Sequence, residues 1–313
     1  MTTLSPTHPV RRKPRRAYSA IPGETPGSPP WRALKTLILT VCVVLVLLPF
    51  LAIISTSLAD TAQVTKAGGY VLWPDDPSFS AYSALLSGGL VSKAMLVSVG
   101  VTVVGTALSL LSSISLAYGL SRPGSFGHKP ILVLLLMSML FVPGVIPSYL
   151  MVKQLGMINS YWSLILPTMI NAFNVIVLRS FFMGIPRELI DSARIDGASE
   201  LSILTRIVLP LSKASVAVIG LFYAVTYWNA FFNALLYIND AAKWPMQMVL
   251  RTYVVNNAAL SGGQVDVAAG APLPPAQSLQ AAILVLSIVP IVIVYPFLQR
   301  HMNKGVMVGA VKG

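Results

Sequence analysis

Six stretches of the chain carry no Asp, Glu, Lys or Arg: residues 36–59, 94–121, 130–152, 154–178, 214–239 and 267–299, the last with its dense apolar part at 279–298. About 20 apolar residues cross the roughly 30 Å of hydrocarbon in a bilayer as a helix. In that solvent each backbone N–H and C=O must be paired within the protein, so uncharged runs of this length are expected to be helical. Only 10% of residues are charged, against about 25% in soluble domains. The expected fold class is an all-α integral membrane protein with six transmembrane helices.

Of the 22 Lys and Arg, 17 fall on one side of these spans: in the tail before the first, in the connections after the second and fourth, and after the sixth. Lys66, Lys93, Lys153, Lys243 and Arg251 fall on the other. Positive loops stay in the cytoplasm, so both termini are expected there, in a multi-pass protein of a bacterial inner membrane. Acidic residues divide evenly between the two sides, so the net charge of +12 lies entirely inside. It is a topology signal, and no nucleic-acid partner is needed to explain it. The uncharged run at 37–54 exceeds the 7–15-residue core of a signal peptide and reads as an anchor.

Residues 1–32, rich in Pro, Ser, Gly and Arg, read as a disordered basic cytoplasmic tail whose charge suits solvent or anionic membrane lipid. Residues 33–313 read as the six-helix transmembrane domain. Outer loops are expected at 60–93 and 240–280; within the second, 252–265 reads as a loop and "SGGQVDVAAGAPLPPAQ" (261–277) as irregular and exposed. Pro49, Pro143, Pro147, Pro167, Pro290 and Pro296 interrupt four spans, where neighbouring groups must satisfy the freed backbone. The second span is rich in small residues (Ser98, Gly100, Thr102, Gly105, Thr106, Ser109, Ser112, Ser113), which lets helices approach closely. Cys42 has no disulfide partner and reads as a small buried hydrophobe. His8, His128 and His301 lack ligand spacing, so no metal site is expected. A phosphate-binding G-x-x-x-x-G-K-[ST] loop does not occur in the sequence.

One segment breaks the apolar pattern. Arg187, Glu188, Asp191, Arg194, Asp196, Glu200 and Arg206 are packed between spans four and five. Inserting them would cost on the order of 20 kcal/mol, so residues 184–212 are expected in the cytoplasm. Pro186 suits the first position of a helix, and Glu188 its first turn. Gly197 ends or bends that helix, and Ser199 caps a second. Leu201, Leu204 and Val208 mark an apolar stripe, and Pro210 a stop. Residue types alone fit two structures: a helix lying among lipid headgroups, or a rigid elbow.

The segment "DSARIDGASELSILTRIVLP" (191–210) resembles the cytoplasmic signature loop in membrane subunits of binding-protein-dependent ABC importers. That pattern is E-A-A, three residues, G, nine residues, I-x-L-P. Asp191, Ser192 and Ala193 stand at the E-A-A positions, Gly197 at the glycine, and Ile207, Leu209 and Pro210 at the end. Asp191 and Ser192 depart from it, the first with a shorter acidic reach. "PSYLMVKQLGMINSYWSLILP", "YWNAFFNALLYI" and the ending "KGVMVGAVKG" are similar to the carbohydrate branch of maltose-permease-like proteins, in particular to a subgroup associated with oligosaccharides and alginate. The resemblance covers about 35–313. It implies a cytoplasmic helix-turn-helix coupling loop that docks on a separate ATPase, with Glu188, Asp191, Ser192, Ala193, Asp196, Gly197, Ala198, Leu201, Leu204, Ile207 and Pro210 as coupling residues. It also implies a second homologous permease subunit, two ATP-binding subunits that bind ATP and Mg, and an extracytoplasmic sugar-binding protein. No cofactor is expected on this chain.

For a sugar path, Asn171, Asn174, Tyr227, Trp228, Phe231 and Asn233 offer ring faces and amides within spans four and five. The same residues suit helix-to-helix contacts. An importer for a non-sugar solute is the nearest competing class. An autonomous channel or secondary transporter lacks an intramembrane acid for ion coupling. A membrane enzyme lacks any nucleophile or acid–base cluster.

Overall fold

The computed structural model describes residues 29–87, 89–122, 124–125, 127–256 and 274–310, with side chains as far as residue 296. Among the described residues the chain is helical, with no strand. Residues 1–28 of the expected tail fall outside them, as do residues 257–273, which include most of the expected loop and irregular stretch, whereas 252–255, expected in that loop, lie in a π-helical turn over Arg251–Val255. Helix α1 runs over Pro29–Leu58 and begins inside the expected tail.

The chain divides into two units, 1–51 and 52–313. In the first, the described side chains of α1 are exposed along their whole length, Cys42 included. Cys42 is therefore not a buried core residue. The helix is long and apolar enough to cross a membrane, and a helix apolar on all sides suits lipid, where an exposed thiol carries no penalty.

In the second unit, short helices α2 (Thr61–Ala67) and α3 (Ser80–Leu86) precede α4 (Leu90–Ser121). Then follow α5 (His128–Leu140), α6 (Val145–Gln154), α7 (Trp162–Thr168) and α8 (Ala172–Met183). The charged segment forms α9 (Arg187–Ile195) and α10 (Glu200–Leu211). After them come α11 (Lys213–Trp228), α12 (Phe231–Tyr237), α13 (Met246–Leu250) and α14 (Ala276–Ala310).

Helices α1, α4 and the Ala276–Pro296 part of α14 are each long and apolar enough to cross a membrane. The pairs α7–α8 and α10–α11 reach that length only together, with bends of 51° and 86°. The expected third span is likewise two helices, parted at 141–144 where Pro143 and Gly144 (φ +79°) interrupt the ladder. A fully uncharged window does not guarantee a continuous helix. Pro49, Pro290 and Pro296, by contrast, lie inside uninterrupted helices.

Helix α4 organises the second unit. Val91, Ala94, Ser98, Val101, Gly105, Ser109, Ser113, Ala117 and Leu120 are buried at spacings of three and four, one face made mostly of small residues. It packs on α8 and α11, and α11 packs on α14. Ser109 Oγ lies 2.7 Å from Tyr227 Oη and Ser113 Oγ 2.7 Å from Tyr223 Oη, so the paired hydroxyls satisfy each other where no water reaches. At the other end of α4, Ala81, Leu85, Val91, Met246, Val249, Leu279 and Ile283 form a second apolar cluster. The turn between α6 and α7 places Asn159 at φ +61°. There its N–H donates to Tyr237 O (2.7 Å) and its side-chain oxygen accepts from Asp240 N (3.1 Å).

Candidate functional site

The charged segment is a built turn rather than a loose loop. Helix α9 opens at Arg187, with Pro186 just outside it at ψ 130°, one residue later than the sequence pattern predicts. Glu188 lies in its first turn. The helix ends with Gly197 at φ +80°. Gly197 N donates to Arg194 O (3.0 Å) and Ala198 N to Ala193 O (2.9 Å). These two bonds are the Schellman closure, which needs a left-handed residue where glycine stands. Ser199 then caps α10, accepting from Ser202 N at 3.3 Å.

Helix α10 does not stop at Pro210. A π-helical turn over Leu204–Val208 precedes the proline, and the helix continues to Leu211. A wider turn accommodates a ring that would strike the carbonyl four residues back, at a position with no N–H to donate. Ser212 then makes the corner, and α11 leaves at 86°.

The elbow has one face on the bundle and one face free. Ile190, Ile203, Leu204 and Val208 are buried in the same apolar cluster as Leu120 and Phe182, with Ala193, Ala198 and Ile207 packed against it. The stripe is thus 203, 204, 207 and 208; Leu201, expected in it, is 70% exposed. Glu188, Asp191, Ser192, Asp196, Gly197 and Pro210 are exposed as well. Ile195, next to the turn, is 87% exposed. The sequence pattern missed this residue because periodicity does not say which apolar side chain stays uncovered.

A cluster of charges ties the elbow to α4. Arg194 donates to Glu200 Oε1 from Nη2 (2.7 Å) and Nε (3.2 Å). Tyr118 Oη donates to Glu200 Oε2 at 2.5 Å, and Arg122 Nη2 lies 3.3 Å from the same oxygen. Arg122 also donates to Tyr118 Oη and lies 4.6 Å from the centre of its ring. Asp191 sits 3.8 Å from Arg194. The Tyr118 hydroxyl, then the two guanidiniums, hold the Glu200 carboxyl below its usual range, against a desolvation effect of opposite sign. The hydrogen bond to Glu200 in turn raises Arg194. Tyr118, Arg122, Arg194 and Glu200 were not among the coupling residues expected from sequence. Between the ends of α4 and α8 and helix α9 lies a cavity of about 240 Å³, lined by Tyr118, Arg122, Phe182, Arg187, Asp191 and Arg194 among others.

The residues suggested for a sugar path occupy different surroundings. Asn171 caps α8, accepting from Asn174 N (3.2 Å), while its own N–H donates to Tyr223 Oη (3.1 Å). Asn174 is buried. Tyr227 is buried against α4, its hydroxyl also donating to Ile165 O (3.2 Å). Trp228 is buried on another side and donates from Nε1 to Ser287 O (3.0 Å) on α14. Phe231 and Asn233 are half-buried, with the Arg251 guanidinium 5.5 Å from the centre of the Phe231 ring.

Residues 109–308, which contain the elbow and the helices around it, match the family described as "Binding-protein-dependent transport system inner membrane component". The chain belongs to this family. The inner-membrane component is 47% identical to the polygalacturonan/rhamnogalacturonan transport system permease protein YtcP of Bacillus subtilis (strain 168), over 85% of this chain and 92% of that one. It is 46% identical to protein LplC of the same organism, over 85% and 90% of the two chains. Among solved structures, it is similar to a chain of a bacterial ABC transporter involved in the import of the acidic polysaccharide alginate. There the TM-score is 0.79 at 29% identity, with 88% of this chain and 99% of that chain covered.

Proposed function

We propose that this inner-membrane component is the transmembrane subunit of an ATP-driven importer that moves an oligosaccharide by alternating access. An extracytoplasmic binding protein delivers the sugar, a second homologous subunit completes the path with six spans from each, and a separate ATPase pair supplies the stroke. Both termini of the chain are cytoplasmic. The observation that carries this reading is the elbow: a capped, ion-paired pair of short helices that leaves Ile195 and Leu201 uncovered at its turn. Large apolar side chains on a charged element that faces water favour a protein partner. Relatives that bear polygalacturonan/rhamnogalacturonan and alginate transport in their descriptions support an oligosaccharide as cargo.

ATP hydrolysis belongs to the partner, and this chain converts a pull on the elbow into a movement of helices. ATP drives the change only insofar as it binds one global arrangement better than the other. Co-expression of this chain with its second membrane subunit and ATPase tests the reading. The wild-type chain is expected to retain the ATPase on purification, and Ile195→Asp with Leu201→Asp to lose it. Full retention by the double variant would refute docking at this face. Uptake of labelled oligogalacturonides in cells with and without the chain tests the cargo.

A further inference from the structure

Glu200 meets three structural parts at once: α10, on which it lies, α9 through Arg194, and α4 through Tyr118 and Arg122. The elbow's covalent attachments are two corners, residues 184–186 after α8 and Ser212 before α11. A body held at two corners can pivot about the line joining them. Apolar packing does not wholly prevent this, because the cavity of about 240 Å³ lies between α9 and the ends of α4 and α8. A third attachment, away from that line, is required for a stiff joint.

We infer that Glu200, held by Tyr118 and Arg122, is that third attachment: a positioning residue that makes the elbow and α4 move as one body. The inference rests on the coupling reading above. Helix α4 is the right anchor, since it packs on both α8 and α11. Isolated surface ion pairs contribute little, but several charges joined in a network are the exception. Here the Arg194 fork closes on one carboxylate oxygen while Tyr118 and Arg122 hold the other. The Arg122 side chain is only 16% exposed, so it cannot exchange Glu200 for water freely. The Glu200 carboxylate is engaged by Tyr118 and Arg122 of α4 and by Arg194, while Ile195 and Leu201 stay uncovered, so the brace transmits force and the two apolar side chains make the dock.

The test uses the complete importer in lipid nanodiscs, reading sugar transported per ATP hydrolysed and the amount of ATPase retained. Glu200→Gln and Arg122→Gln are expected to keep the ATPase yet lower transport per ATP at least tenfold. The double variant should be no worse than the poorer single. Tyr118→Phe, which removes one hydroxyl and leaves the ion pairs, is expected to give a several-fold loss and serves if the charge variants fail to fold. Normal transport per ATP in these variants, or losses that multiply in the double, would overturn the brace. Loss of the ATPase from Glu200→Gln would also overturn it, by placing Glu200 in the dock. If the wild-type complex showed no hydrolysis stimulated by sugar-loaded binding protein, the coupling reading would fall and the brace with it.

Discussion

A methyl group on Gly105 would lie 2.8 Å from the ring of Tyr227. Tyr227 cannot step aside, because its hydroxyl is held by Ser109 at 2.7 Å and Ile165 O at 3.2 Å. Glycine inside a helix ordinarily costs about 1 kcal/mol relative to alanine, so Gly105→Ala would stabilise α4 if space allowed. Overpacking costs about 1–3 kcal/mol, and it should win here. Thermal unfolding of the purified chain in detergent is expected to show a lower midpoint for Gly105→Ala. A raised midpoint would mean that the α4–α11 contact is looser than described.

Gly197 presents the opposite case. No atom lies within 4 Å of a Cβ built there, but its φ is +80°. The cost of a side chain is therefore backbone strain alone, about 1–2 kcal/mol. Asparagine tolerates the left-handed region better than β-branched residues do. Gly197→Val should abolish sugar-stimulated ATP hydrolysis while the chain still reaches the membrane, and Gly197→Asn should recover most of it. Equal loss in both variants would point to a steric contact at the dock instead of turn geometry.

Trp228 donates its indole N–H to Ser287 O at 3.0 Å, joining α11 to α14. Trp228→Phe leaves that buried carbonyl without this donor, at about 1 kcal/mol. The expected outcome is a lower unfolding midpoint with an unchanged KM for the transported sugar. A raised KM would return Trp228 to the sugar path.

The parts of the fold that were legible are those governed by local chemistry. Gly197 and Ser199 announced the turn because a left-handed closure and a side-chain cap each require particular residues within a few positions. The uncharged windows located the apolar segments because insertion depends on composition. Pro143 announced an interruption of the third window, but its extent over 141–144 and the breaks at Asn171 and 229–230 were not legible, since hydropathy does not register a cap or an interrupted ladder. The Glu200 cluster was hidden for a different reason. Tyr118 lies 82 positions away, and nothing near Glu200 in the sequence distinguishes it from the other acids of the elbow. Ile195 and Leu201 resemble core residues by type, and only the packing separates them from Ile203 and Val208.

Acidification should loosen the brace in a direction fixed by the cluster. The Tyr118 hydroxyl, Arg194 and Arg122 favour the charged carboxylate of Glu200, whose pKa is lowered from an ordinary 4.5. The folded chain therefore binds this proton less readily than the unfolded one. The stabilisation is complete above pH 4.5 and is lost as pH falls through the lower folded value. The Glu200 side chain is 54% exposed, so solvent screens the effect and its size will be modest. Other acids titrate in the same window, which makes the difference between two chains the useful quantity. Unfolding midpoints of wild type and Glu200→Gln are expected to differ most at neutral pH and to converge as the pH falls below 4.5. Raised salt should narrow the neutral-pH gap in part too, because salt weakens ion pairs that are partly exposed to solvent. A gap that stayed constant from pH 7 to pH 3 would mean that the charge of Glu200 does not hold the joint.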